Sequence, residues 1–423
     1  MLSSRALLAV LLLASGCALP EEGFEPDTPA QQTRALGEIV IEDPRVGGIQ
    51  LSTRGDEASL PILPLRGDQQ LRLEFDLVGQ EIGTPLEITF AYTDLRGQQT
   101  LLPAEYMTGF EQDNIISFER SGASSTVPYV HYTYDFPNRT IGFQVSGNYR
   151  AIVRDPQTRA VLLEMPFFVS EQLAEVELAF GATVQNGSVG FATQPAARLR
   201  PDASLNEFDG SQYTVCFARN GRTDGFRCAP EPSLIDLALF QFFLPREAAF
   251  PEQPPLFDLD MGFLSVNEDI LDLDRSTAPP TATLDLDYAE FGGDVRQAVV
   301  SAIPLIESVY RDIGRADVDA QYVDVVFRLV PPNSRQFARR IFVTGSFNGW
   351  RRTPGAEMEW KDELGRYEVT LRLKQGRYIY AYDGIPTQAA GLGAPSLFTA
   401  YVYLNDPQRF TDRLVAVRSG VAR

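Results

Sequence analysis

The 423-residue chain has one histidine, three cysteines, two lysines and two tryptophans. With His131 alone, an H-E-x-x-H zinc motif cannot form, and neither a G-x-S-x-G nucleophile elbow nor a Walker loop occurs. His131 lies in an alternating segment, where a packing or hydrogen-bonding role is expected rather than that of a base. Lys361 and Lys374 are the only lysines, so the basic residues are otherwise arginine, a bias we attribute to a GC-rich genome. Basic charge is also short. The net charge is −19, and it becomes −20 if Arg5 leaves with the first sixteen residues. That sign argues against non-specific nucleic-acid binding and against electrostatic docking to anionic lipid. Beyond the N-terminus no apolar run approaches the ~20 residues of a membrane-spanning helix. A carboxylate pair would suffice for glycosidase chemistry, but among so many acids spacing selects no pair. The expectation is therefore a protein that is not an enzyme and carries no cofactor and no metal.

What is present begins with MLSSRALLAVLLLASGC. One charge, Arg5, precedes an apolar run from Ala6 to Ala14, about half a membrane span, as in the core of a signal peptide. Small residues Ala14, Ser15 and Gly16 then lead into Cys17. This resembles a bacterial lipobox, which implies cleavage before Cys17 and lipidation of its sulfur. The alternative is an ordinary secretory signal cut near Ala18, with Cys17 incidental. No Asp follows Cys17, which by the same resemblance favours the outer membrane. Residues 18–35 are rich in Pro, Glu and Gln and read as a flexible tether.

The remainder holds 27 Phe and 16 Tyr. It is built from short alternating segments such as LRLEFDLV, LEITFAYT, VPYVHYTYDF and YEVTLRL, each bounded by turn residues. This pattern predicts an all-β chain of three consecutive, Ig-like β-sandwich domains. Their expected limits are 36–170, 171–319 and 320–423, after a signal peptide (1–16) and tether (17–35), as a rod of β modules. Only 294–313 reads as a substantial helix, interrupted by Pro304.

Cys216 and Cys228 flank two turn signals, Asn220-Gly221 and Asp224-Gly225. A hairpin there would bring the sulfurs together, so a disulfide is expected, with two free thiols in neighbouring strands as the alternative. From Glu252 to Glu290 inclusive there are ten acids and one base, Arg275. In F-D-L-D, L-D-L-D and L-D-L-D, alternation sends paired carboxylates to one strand face. No Asp-x-Asp-x-Asp-Gly loop accompanies them. An acidic solvent face is expected in preference to a calcium site.

Residues 101–169 carry a more specific signal. They contain an E-Y-x-x-G-F segment (Glu105, Tyr106, Gly109, Phe110), a Y-x-H-Y strand (Tyr129, His131, Tyr132) and an S-G-N-Y turn (Ser146 to Tyr149). In order and spacing this resembles the plug-protein family of the Bacteroidota type IX secretion system. ARNGRTDGF (218–226) and the GSFNGW and LRLKQGRYIYAY segments extend the resemblance along most of the chain. The cysteine pair and the acidic 252–290 stretch do not belong to the pattern. The resemblance implies a lipoprotein at the periplasmic face of the outer membrane, held there by its lipid alone. Its implied partner is the large translocon β-barrel, whose mouth it plugs.

A second resemblance competes. Gly345 to Trp350 is similar to the motif of glycogen- and starch-binding modules, where aromatic faces bind glucan. Phe347, Trp350, Trp360 and Tyr378 are the candidate platform, but packing of Phe347 and Trp350 into the sandwich and its loop is expected in preference. Arg335, Arg339, Arg340, Arg351 and Arg352 flank the motif as a candidate partner surface or as solvated charge.

Overall fold

The alternation in Leu71–Val78 sends Leu71, Leu73, Phe75 and Leu77 to one face and Arg72, Glu74 and Asp76 to the other. Tyr129–Phe136 pairs with it antiparallel, placing Tyr132 opposite Phe75 and His131 opposite Asp76. The apolar faces of both strands are buried, and the Phe75 and Tyr132 rings stack 5.2 Å apart. These elements come from a computed structural model that describes residues 36–122, 125–184, 192–236, 239–252, 255–290, 316–385 and 396–422. The expected signal peptide, the tether with Cys17 and the helix over 294–313 lie outside the described residues.

The architecture is all-β, with several sandwiches of mainly antiparallel strands. In the first, the four-stranded sheet of Val46–Thr53, Leu71–Val78, Tyr129–Phe136 and Ser117–Arg120 faces a second sheet. That partner orders Val40–Ile41, Val161–Ser170, Gly147–Arg154, Leu86–Thr93 and Gln112–Ile115. Its core is aromatic: Phe90, Phe136, Phe143, Tyr149 and Phe167 meet at centroid distances of 4.9–6.3 Å. Burying a side chain of this size contributes about 1.5–3 kcal/mol.

Beyond residue 170 the sheets group the chain differently from three tandem segments. Ala174–Thr183, Ala192–Pro201, Leu239–Phe243 and Leu234–Asp236 form one layer of the middle sandwich. The other layer pairs Arg222–Ala229 and Tyr213–Arg219 with the last two strands of the chain, Ser396–Asp406 and Thr411–Ala422. The third sandwich takes its sheets from 257–288 and 322–383. Phe257–Asp260 pairs with Arg377–Asp383, and Thr281–Leu284 runs parallel to Tyr322–Val330. The acidic stretch is thus the edge of the third sandwich. Phe257 and Leu259 are buried while Asp258 and Asp260 are half-exposed, and Asp260 pairs with Arg377 at 3.0 Å.

Contacts between the sandwiches differ from those of a rod, in which the first and third would not touch. Asp76 of the first meets Lys374 of the third, and Tyr92 of the first meets Thr411 of the middle one. Arg222 of the middle sandwich lies over Trp350 of the third. Each module therefore touches both others.

Candidate functional site

The outward face of the first sandwich should be solvated by its composition, yet it is covered where the third sandwich docks. Asp76 has no exposed surface there and Lys374 only 2%. Such a pair is stable only if every polar atom finds a partner. Asp76 Oδ1 lies 2.8 Å from His131 Nδ1, and Oδ2 accepts from Tyr322 Oη (2.7 Å) and Lys374 Nζ (2.8 Å). Lys374 also donates to the Asp317 carbonyl (2.7 Å) and sits 4.5 Å from the Tyr129 ring centroid. Tyr129 Oη donates to the Ala320 carbonyl at 2.8 Å. Burial alone would raise the Asp76 carboxyl, but Lys374 and His131 outweigh it and hold it below the usual range. Burial would likewise lower His131; the Asp76 and Glu74 carboxylates reverse this and carry it up to about 9.

A second junction joins the first sandwich to the returning C-terminal strands. Glu171 accepts two hydrogen bonds from Arg413 (2.8 and 2.6 Å) and one from Ser146 (2.6 Å). Arg413 Nη1 donates to Asp406 at 3.1 Å. Tyr403 Oη donates to Asn148 Oδ1 (2.6 Å), Tyr92 Oη bonds Thr411 Oγ1 (2.5 Å), and Phe168 packs on Tyr401. Burial would raise Glu171, but Arg413 and Ser146 more than offset it and the carboxyl is lowered.

The sequence motifs acquire physical reasons here. In S-G-N-Y, Ser146 binds Glu171, Asn148 binds Tyr403 and Tyr149 fills the core. Gly147 has φ +143°, and a Cβ there would come within 2.6 Å of the Tyr92 ring. In E-Y-x-x-G-F, Glu105 accepts from the Leu102 amide and Tyr106 Oη donates to the Phe90 carbonyl. Gly109 has φ +90° and would place a Cβ 2.1 Å from the Thr140 carbonyl oxygen. Phe110 is 68% exposed.

Cys216 and Cys228 stand directly opposite in the Asn220-Gly221 hairpin, with Cα atoms 4.0 Å apart and the sulfurs bonded. Replacing both with serine is expected to cost about 2–3 kcal/mol, because the open chain regains the entropy of a closed loop. Urea unfolding with and without reductant checks this: reductant should shift the wild type toward the variant and leave the variant unchanged.

The glucan platform is not formed. Trp350 is only 6% exposed, packed with Leu256 and Ala381 beneath Arg222. Phe347 packs against Phe327 and Tyr378, and the buried Tyr378 Oη donates to the Lys374 carbonyl. Trp360 rests edge-on against Tyr367 and donates to Asp362. The motif's own turn explains this burial: Asn348 accepts from the Gly345 amide and donates to the Val343 carbonyl, which folds Trp350 back onto the sheet. Of the arginines, Arg351 binds Glu38 and the Ile39 carbonyl, Arg352 binds Asp383, and Arg340 binds Glu357. Arg335 and Arg339 are exposed.

Asp287, expected on an acidic solvent face, is turned inward instead. Its Oδ2 accepts from Tyr380 (2.7 Å) and Tyr382. Burial pushes its carboxyl up to about 6, a rise the two tyrosines temper. The folded chain therefore holds an extra proton between pH ~4 and ~6. That contribution to stability is complete below pH ~4 and is lost as pH rises through ~6. Two pH units at 1.36 kcal/mol each set a ceiling of about 3 kcal/mol, and the partial solvent access of this inward carboxylate brings it to about 1–2. Asp287→Asn is expected to lose that pH dependence, so urea unfolding at pH 4.5 and 7.5 should favour the variant more at the higher pH.

These features define a multi-sandwich β protein whose specific polar chemistry holds its modules together. Among the described residues no helix is long and apolar enough to cross a membrane. Residues 46–171 match the family described as the type 9 secretion system plug protein 1st domain. The match identifies the first sandwich as a plug-type domain and covers about a third of the chain. A crystal structure of a hypothetical protein from Parabacteroides merdae ATCC 43184 is similar in fold, with a TM-score of 0.80 at 20% identity. The match covers 92% of this chain and all of that one. The C-terminal domain of the Streptococcus pyogenes antigen I/II-family protein AspA aligns over 88% of this chain and 98% of that one. Its identity is 9% and its TM-score 0.16, too low to carry an argument. No curated protein matches the chain.

Proposed function

We propose that this chain is a non-enzymatic, lipid-anchored outer-membrane protein of a member of the Bacteroidota, which binds the periplasmic side of the type IX translocon barrel and closes it. The observation that carries this reading is the plug-domain match over 46–171. Two physical features support it. Sealing a wide pore requires a surface that does not yield, and ionic junctions at both contacts of the first sandwich provide stiffness. Lipid on Cys17 would confine the protein to the membrane of its barrel and raise its local concentration there, without help from the basic charge it lacks.

The test is affinity recovery of a tagged, detergent-solubilised chain from outer membranes. A very large β-barrel protein should accompany it, and deletion of the gene should admit large antibiotics through the outer membrane. Recovery without any barrel, together with unchanged permeability in a strain secreting normally, would refute the proposal. Phe110 supplies a finer prediction. As an exposed aromatic in the plug domain it is expected to contact the barrel. Phe110→Asp should reduce barrel recovery several-fold while stability changes by no more than about 0.5 kcal/mol, as for other surface substitutions.

A further inference from the structure

His131 does more at the first junction than hold Asp76. Its Nδ1 faces Asp76 Oδ1 at 2.8 Å, which fixes the ring and leaves Nε2 pointing the other way. Nε2 is buried and has no hydrogen-bond partner; the nearest carboxylate oxygen, Glu74 Oε1, is 3.7 Å away. An imidazole more than nine-tenths buried thus aims one nitrogen into a space shared with two carboxylates, Glu74 and Asp317. The three potential ligand atoms lie within 4.8 Å of one another.

We propose that Glu74, His131 and Asp317 bind a divalent transition-metal cation of the zinc type, which clamps the first sandwich to the segment entering the third. The donor set is one imidazole nitrogen and two carboxylate oxygens, with water in the fourth position of a tetrahedron. Imidazole disfavours calcium and magnesium, which take oxygen ligands. Asp76 stands where a carboxylate orients a metal-bound histidine. Charge agrees. Asp76 and Lys374 cancel, leaving Glu74 and Asp317 to balance a charge of +2, with the imidazole nitrogen as the third ligand. Ligand atoms around zinc are about 3.3 Å apart, given bonds near 2 Å. Glu74 and His131 already approach this, and the exposed Asp317 side chain can close the rest by rotating. Glu74 and His131 sit on paired strands of the first sandwich, while Asp317 lies just before Tyr322–Val330 of the third. The inference does not rest on a plug role and holds whether or not the chain closes a barrel.

The experiment uses the full mature chain, stripped with chelator and titrated with Zn²⁺ against a chromogenic competitor, with thermal unfolding in parallel. One equivalent should bind and raise the unfolding temperature. Asp317→Asn and Glu74→Gln should each weaken binding tenfold or more and abolish the thermal shift. Because Asp317 is exposed, its variant should match the metal-free wild type in unfolding temperature, which separates loss of ligand from loss of fold. No stoichiometric binding to the folded wild type would overturn the proposal. So would equal binding by both variants, which would mean an adventitious ion only, held by the acidic surface.

Discussion

Lys374→Met is expected to destabilise the folded chain by about 3–5 kcal/mol, the usual result of stripping one partner from a buried ion pair. Methionine keeps most of the stem's volume, so the loss is electrostatic rather than a cavity. Asp76 would stay fully buried with two donors, His131 and Tyr322, and no cation beyond the imidazole. The Asp317 carbonyl would lose its donor and the Tyr129 ring its charge. The urea midpoint reports the effect. Adding Asp76→Asn should cost less than the sum of the single changes, since each removes a charge that the other leaves stranded. A Lys374→Met change below 1 kcal/mol would mean that water reaches the junction and the pair is only a surface bridge.

Period-two alternation was legible wherever a strand has one face on a core. It located Leu71–Val78, Leu86–Thr93, Tyr129–Phe136 and Arg366–Lys374 and the all-β class with them. Alternation reports which residues share a face, not what covers that face. Glu74, Asp76 and His131 lie on the polar side of their strands, and only the docked third sandwich turns that side into an interior. Asp287 departs from expectation for the same reason, because an L-D-L-D run cannot show that two tyrosines nearly a hundred residues later will enclose one of its carboxylates.

Long-range pairing was likewise invisible. Nothing in the composition of 396–422 says that these strands return past the third sandwich to Tyr213–Arg219. The aromatic motif is ambiguous in another way. Gly345 to Trp350 fits both an exposed platform and a folded turn, and only the two Asn348 hydrogen bonds distinguish them. The proposed metal ligands, at positions 74, 131 and 317, have no local spacing for a motif search to find. Ser146, Gly147 and Asn148 are legible as a family signature, but its physical reason appears only with Glu171, Tyr92 and Tyr403 around them.

The return of the C-terminal strands makes the second large effect predictable. Arg413→Met is expected to cost about 3–5 kcal/mol, because it strands two acids rather than one. Glu171 would lose a bidentate partner and keep only Ser146, and Asp406 would lose its buried donor and keep the more distant Arg409 at 3.7 Å. Arg413→Lys should recover part of the loss, since an ammonium restores the charge but not the planar fork that meets both Glu171 oxygens. The two junctions share no residue, so the Arg413 and Lys374 effects should add to within about 0.5 kcal/mol if the unfolding is concerted. Hydrogen exchange distinguishes their locations. Arg413→Met should raise exchange in Ser396–Asp406 and Thr411–Ala422, whereas Lys374→Met should raise it in Tyr322–Val330 and Arg366–Lys374. Uniform loosening by either variant would mean that the sandwiches unfold as one unit, with the junctions as its interior; separate responses would identify each junction as the contact that holds its own module in place.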